Sequence, residues 1–256
     1  MTLTLDFLPQ TAFAFLLIFA RVGSMSMSLP GFGDRAVPPR IRLVLALALT
    51  LILYPGVQQS LPAFPATFAG IITALIGELL IGLGIGLSVR LIVSGILVAG
   101  SMISVQTGLA MAQTVDPSQG TMGTLFGTFL SVLSITMIFT MDLHHVLLGA
   151  IHDSYGLFPP GELLPTAGAD FAKLALAKIS NAFRLAVQLA APFLIFGLIF
   201  YLGVGVLSRL IPQVQIFFVV MPANIMLGFA LFMLLLSTIT LWYLDYFGQA
   251  IQSYLL

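Results

Sequence analysis

Arg21, Glu78 and Arg90 each lie inside long apolar runs of this chain. At the centre of a membrane helix a charged side chain costs about 2.5–3.5 kcal/mol, so these three are not expected to face lipid tails. One chemistry open to them is an ion or proton pathway. The other is structural: pairing with polar groups of neighbouring subunits, or fixing the register between helices. A proton relay needs several carboxylates at membrane depth, and Glu78 is almost alone there, so the structural role is favoured.

A second cluster is Asp142, His144 and His145, with His152 further on. Imidazole and carboxylate together suggest a metal or an acid–base pair. Adjacent histidines on a regular helix point about 100° apart and should not share one ion. No H-x-x-x-H spacing accompanies them, so no metal is expected. Interfacial capping or hydrogen bonding between subunits is favoured for His144. The chain has no cysteine, which removes thiolate nucleophiles, Cys-ligated zinc, iron–sulfur clusters and disulfides. Many serines are present without a nucleophile-elbow spacing. Gly82-Leu83-Gly84-Ile85-Gly86 superficially resembles a dinucleotide loop, but it lacks the third glycine and a preceding strand. Its G-x-x-x-G step, like that of Gly123 to Gly127, suits close helix packing in apolar surroundings. No catalytic and no cofactor-binding residue is assigned.

The elements that must position these residues follow from composition. Of 256 residues, 59% are hydrophobic and only 7% charged, with mean hydropathy +1.13 and formal net charge +0. Nine basic and nine acidic residues cannot cover the surface of a soluble globule of this size. A soluble enzyme, a disordered protein and a basic nucleic-acid binder are therefore excluded. The first basic residue, Arg21, falls inside the first apolar run, so that run is expected to persist as an anchor.

A spanning helix needs about 20 mostly apolar residues. Candidate runs are Thr11–Leu29, Ile41–Tyr54, Ala66–Ala112, Leu125–Met141, Phe183–Leu210 and Ile216–Tyr243. The second is short enough to be a partial span. The third reads as two long helices bent near Gly77, Gly82, Gly84, Gly86, Gly95 and Gly100. Six or seven helices result, and no barrel-type alternation appears, so the expected fold class is an all-α, multi-helix membrane protein. Expected breaks are Pro30 to Arg40, Pro55-Gly56 with Pro62 to Pro65, Asp116 to Gly120, His152–Asp170, and Ser208 to Gln215. Arg35, Arg40 and Arg42 place the loop around Asp34–Arg42 in the cytoplasm and the N-terminus outside. The acidic His152–Asp170 loop fits no single topology cleanly.

Between two strongly apolar runs lies a moderately polar segment, Gln106, Thr107, Gly108, Leu109, Ala110, Met111, Ala112, Gln113, Thr114, Val115, Asp116 and Pro117. Non-helical backbone at membrane depth is tolerated where protein covers it or where it lines a cavity. A pore or gate element and an ordinary surface loop both remain open on these residues alone.

Taken in order, several segments resemble the FliR family, the R subunit of the flagellar type III export gate. They are Ala20-Arg21-Val22-Gly23; Leu29-Pro30-Gly31-Phe32-Gly33; Pro38 and Arg42 leading into Leu43–Leu53 and Pro55; and Gly100, Gln106-Thr107-Gly108 and Asp116-Pro117. Asp142, His144 and His145 follow, then Ser208-Arg209, Pro212-Gln213, Val214-Gln215-Ile216-Phe217 and Pro222. The order and spacing carry the resemblance, from about residue 12 to the C-terminus. One departure is Leu143, where the family usually has Gly.

The resemblance implies a chain of extended helical hairpins, a P-like part (about 1–180) fused to a Q-like C-terminal hairpin (181–256). It implies a multi-pass inner-membrane location in the flagellar basal body. The implied partners are the P and Q subunits (FliP, FliQ), FlhB, unfolded export substrates in transit, and membrane lipid; no nucleic acid is implied. Gln106 to Asp116 would be a plug in the central channel, with Leu109 and Met111 as apolar sealing residues, a flexible thioether suiting a seal that must reclose. Arg21, Gly23, Pro30, Gly33, Arg42, Glu78, Arg90 and His144 would fix helix or subunit contacts, and Pro212-Gln213 would turn the C-terminal hairpin. No catalysis is implied. The corresponding subunit of a virulence injectisome is the nearest alternative. A small-molecule permease would need matched broken helices, which are not seen, and an intramembrane enzyme built on Asp142, His144 and Glu78 is the remotest reading.

Overall fold

In the computed structural model, residues 7–34, 37–110, 123–160, 167–210 and 216–252 are described. They form α1 (Phe7–Ser28), α2 (Pro39–Val57) with a 3₁₀ turn at Gln58–Ser60, α3 (Phe68–Gln106), α4 (Leu125–Thr140), α5 (Leu143–Leu157), α6 (Ala167–Leu210) and α7 (Ile216–Gln252). No strand occurs among the described residues. The fold is all-α. Five helices, α1, α2, α3, α6 and α7, contain stretches long and apolar enough to cross a membrane.

Several element boundaries differ from the sequence reading. Within the Ala66–Ala112 run, residues 68–106 do not divide into two helices near the expected glycines. α3 is one helix of 39 residues that passes through all six of those glycines, and through Gly70 as well, and ends at Gln106. Glycine inside a helix costs about 1 kcal/mol relative to alanine. In apolar surroundings that cost is offset where the missing side chain lets another backbone approach. Pro55-Gly56 does not break α2, which continues to Val57. Proline there removes a single donor in the last turn rather than a mid-helix bond. α5 runs into the expected His152–Asp170 loop as far as Leu157, and α6 already begins at Ala167. Lys173, Lys178 and Arg184 lie on α6. α6 also continues through Ser208-Arg209 to Leu210. Gly123 precedes α4, whose N-cap is Thr124, so Gly123 and Gly127 do not share a helical face.

The chain divides into two compact units, with boundaries inside α3, α6 and α7. The first holds Met1–Leu91, Asp142–Lys178 and Gly248–Leu256. In it α1 packs on α2. Phe13, Leu17 and Ala74 form a small apolar core with Leu61, Ile71 and Leu75 against it. The Phe64 ring meets Phe13 edge-on at 5.4 Å, and the Phe64 N–H donates to Gln10 Oε1 at 2.8 Å.

The second unit holds Ile92–Met141 and Ile179–Phe247. Its core is aromatic. Phe126 of α4 stacks on Phe232 of α7 at 4.1 Å, and Phe193 of α6 lies 6.4 Å from Phe232. Gly100 of α3 abuts Gly127 of α4 so closely that a Cβ on Gly100 would lie 2.5 Å from the Gly127 Cα. Thr124 seals the start of α4. Its Oγ1 accepts from the Gly127 N–H at 3.2 Å and lies 3.2 Å from Ser101 Oγ.

Candidate functional site

The buried charges of the first unit come together within the chain. Arg21 of α1 is fully buried and Glu78 of α3 is 1% exposed. Arg21 Nε donates to Glu78 Oε2 at 2.6 Å and Nη2 to Oε1 at 3.1 Å, a two-pronged pair. The remaining guanidinium hydrogens reach the end of α5. Nη1 donates to the Ser154 carbonyl at 3.0 Å and approaches Ser154 Oγ at 3.4 Å, and Nη2 donates to the Phe158 carbonyl at 2.8 Å. The Ser154 carbonyl also accepts the Phe158 N–H at 2.9 Å, and the carbonyls at a helix's last turn carry the negative end of its dipole. Arg21 therefore neutralises Glu78 on one side and caps α5 on the other. The Tyr155 ring lies beneath the guanidinium, 4.1 Å from its central carbon.

The backbone geometry explains how a short glutamate reaches so far. Gly82 lies one turn beyond Glu78 on the same face of α3. A Cβ there would collide with the Arg21 carbonyl and Ser24 Oγ of α1, and one on Gly86 would lie 2.8 Å from the Met25 carbonyl oxygen. The G-x-x-x-G step is thus the contact strip that brings α3 against α1 at the level of the ion pair. Arg90, also on α3, is exposed and takes no part in the cage.

The other residues expected in structural roles are spread through the same unit. Arg42 ties the turn before α2: its Nε donates to the Val37 carbonyl at 2.9 Å and its Nη2 to the Asp34 carbonyl at 2.5 Å. Pro30 is buried in that turn. Gly33 is needed there because a side chain would run into the Met27 carbonyl. Gly23 is buried but meets only the Phe19 ring at 3.9 Å, so space does not demand glycine there.

Asp142 precedes α5 with φ 58°, a left-handed conformation that Asp tolerates better than most residues. Leu143, where the resemblance expects Gly, is simply the first helical residue. The expectation that His144 and His145 diverge is corrected. Their rings lie 4.1 Å apart, tilted by 37°, and ligand atoms of Asp142, His144 and His145 all fall within 4.8 Å of one another. At the very start of a helix the side chains are not confined by a preceding turn, so two neighbours can rotate together. Asp142 and His145 are exposed, and their nearest N–O distance is 3.6 Å. His152 faces Gly56 of α2, and its Nδ1 lies 3.0 Å from Asp153 Oδ1.

In the second unit, the segment expected to be a plug begins where α3 stops. Thr107 still bonds back to Ile103, through both its N–H and its hydroxyl at 3.0 Å. Gly108 then turns out of the helix with φ 74°. The break leaves the Gln106 carbonyl without its helical donor, and Asn224 Nδ2 of α7 supplies one at 3.1 Å. Gly197 of α6 lies under the Gln106 side chain, and Gly228 of α7 lies under Thr107; a Cβ at either position would collide with them. Leu109 and Ala110 are half-buried. Met111, Ala112, Gln113, Asp116 and Pro117, and likewise Pro212 and Gln213, lie outside the described residues.

Sequence reading missed Ser154, Tyr155 and Phe158, whose contributions are a ring and main-chain carbonyls that leave no mark in composition. It also missed Asn224. Asn224 did leave a signal: it is an amide inside the Ile216–Tyr243 run, open to the same argument that singled out Arg21.

Against known proteins, the family described as bacterial export proteins, family 1, matches residues 12–250. The chain is 43% identical to the flagellar biosynthetic protein FliR of Caulobacter vibrioides over 93% of this chain and 94% of that protein. It is 28% identical to the flagellar biosynthetic protein FliR of Bacillus subtilis over 94% of this chain and 92% of the relative. With that of Escherichia coli it shares 28% identity over 86% and 82%.

Proposed function

Because the chain belongs to the FliR family of bacterial export proteins, we propose that it is the structural and gating subunit of the flagellar protein export channel. It is a multi-pass inner-membrane protein of the flagellar export apparatus. The observation that carries the proposal is the extent of the likeness: residues 12–250 match the family, and relatives named for flagellar biosynthesis align end to end.

The proposed partners are FliP, FliQ and FlhB, with unfolded export substrates in transit and lipid around the assembly. The proposed division is a P-like part over about 1–180 and a Q-like hairpin over 181–256. The apolar exteriors of α2, α3, α6 and α7 support a life among partners or lipid. At most 22% of each of their most apolar stretches is buried within the chain, against 61% for α1. No chemical step is assigned to the chain. Asp142, His144 and Glu78 do not form one site, since Glu78 is bound to Arg21.

The gate is proposed to be the segment 106–117. Its support is the chain's departure from α3 at Gly108, beyond which a moderately polar sequence rich in small residues follows. Deleting Leu109–Gln113 in cells should leave the chain in the membrane with its partners and raise potassium efflux across the inner membrane. Unchanged efflux would remove the gating role while leaving the structural one. Deleting the whole gene should abolish flagella, and extraction in mild detergent should recover the chain with small hydrophobic partners; recovery as a lone stable monomer would sink the assembly reading. The flagellar names of the relatives described above favour this reading over an injectisome subunit.

A further inference from the structure

We propose that Asp142, His144 and His145, at the start of α5, form a binding site for a divalent transition-metal ion of the zinc type, with two imidazole ligands, one carboxylate and one open position. The site needs only three side chains from a single turn of the first unit, so it stands apart from the export role.

Adjacent side chains on a regular helix diverge by about 100° and could not share an ion. The backbone here removes that obstacle. Asp142 takes φ 58°, and the His145 N–H donates to its carbonyl at 3.0 Å, which closes the first turn and sets the carboxylate beside His145. The His144 ring lies 4.1 Å from the His145 ring, tilted by 37°. A tetrahedral ion with bonds of about 2.0–2.1 Å keeps its ligand atoms roughly 3.3 Å apart. Asp142 Oδ1 and His145 Nδ1 lie 3.6 Å apart, too far for a hydrogen bond but close to the spacing of two ligands on one ion. Ligand atoms of all three residues fall within 4.8 Å of one another. The side chains of Asp142 and His145 are 77% and 68% exposed, so they have the freedom to close the remaining distance. An ion pair between Asp142 and His145 accounts for two of the groups; a shared cation accounts for all three. The donor set names the ion. Two imidazoles and one carboxylate suit zinc and its neighbours, whereas magnesium and calcium prefer oxygen ligands. The positive end of the α5 dipole opposes a cation there, and the Asp142 carboxylate offsets it.

The test is metal uptake by the full-length chain, extracted with its partners in mild detergent and carrying a purification tag free of histidine. Zinc is titrated in competition with a chromophoric chelator. His145→Ala and Asp142→Asn should each weaken zinc binding by about a hundredfold or more, because even the groups that only support a metal's ligands are worth roughly 10–100-fold. Both side chains are exposed, and asparagine tolerates the left-handed conformation at 142, so both variants should melt like the unaltered chain when zinc is absent. A merely structural role for these side chains predicts the reverse: an altered melt and unaltered zinc uptake. Copper(II) then reports the ligands. Its paramagnetic resonance spectrum should show coupling to two nitrogens in the unaltered chain and in Asp142→Asn, and to one in His145→Ala or His144→Ala. Magnesium or calcium at equal concentration should not displace zinc. The site is wrong if His145→Ala and Asp142→Asn take up zinc as tightly as the unaltered chain. Copper coupled to a single nitrogen in the unaltered chain marks a chance histidine contact and overturns it as well. Displacement of zinc by magnesium or calcium would sink the zinc-type assignment.

Discussion

The two units each hold a helix end with a buried polar side chain, in different ways. In the first, Arg21 caps the end of α5 while paired with Glu78, and its donors find five acceptor contacts on Glu78, Ser154 and Phe158. In the second, Asn224 caps the end of α3 as a neutral amide, with its own oxygen unmatched among the described residues. A charge in an apolar interior must be fully answered, because one missing partner leaves an uncompensated ion. A neutral amide can be half-answered at far lower cost. The first arrangement suits a joint that stays closed.

The comparison breaks most visibly at Glu78. Glu78→Ala strands a buried guanidinium and should destabilise the chain by about 3–5 kcal/mol, read as a collapse of its melting temperature in mild detergent and of its amount in the membrane. Replacing both partners, Arg21→Met with Glu78→Leu, should recover most of that loss, since well-packed apolar pairs often match buried ion pairs. If the double variant is no better than the single one, the cap on α5 rather than the charge balance holds the joint.

A smaller effect is expected where packing rather than charge decides. Gly100→Leu forces the α3 backbone away from Gly127 and should cost about 1–3 kcal/mol. Gly23→Ala in the first unit, with only ordinary contact at 3.9 Å, should be near neutral in the same melt. Thr124→Ala removes the N-cap of α4 and should cost about 1 kcal/mol. A mild loss is also expected for Ser154→Ala. Arg21 keeps the main-chain carbonyl at 3.0 Å and loses only the longer 3.4 Å contact, so a loss below about 1 kcal/mol is expected in the melt. A larger loss would mean that the hydroxyl, not the helix end, is what the arginine reads.

Much of the fold was legible along the chain. Apolar run length locates most of the helices, because a helix in lipid must satisfy its own backbone. The cost of a charge in such a run pointed to Arg21 and Glu78 before any contact was visible. Proline and glycine were the weak guides. Pro55 and the glycines of α3 read as breaks, yet the helices run through them, since packing from outside the helix decides whether a break is taken. Polar segments misled too: His152–Asp170 read as one long loop, and α5 and α6 take up its two ends.

Linear order alone determined that this is an all-α membrane chain of the export family and that charges inside its apolar runs needed partners. Run length, charge cost and motif spacing are properties of neighbouring residues, so they survive without a fold. Tertiary structure decided which groups answer those needs: Glu78 and the carbonyls of α5 for Arg21, Asn224 for the end of α3. Such partners lie 57 to 137 residues apart, and main-chain carbonyls are identical at every position. Only the approach of helices, allowed where Gly82, Gly197 and Gly228 lack side chains, selects among them.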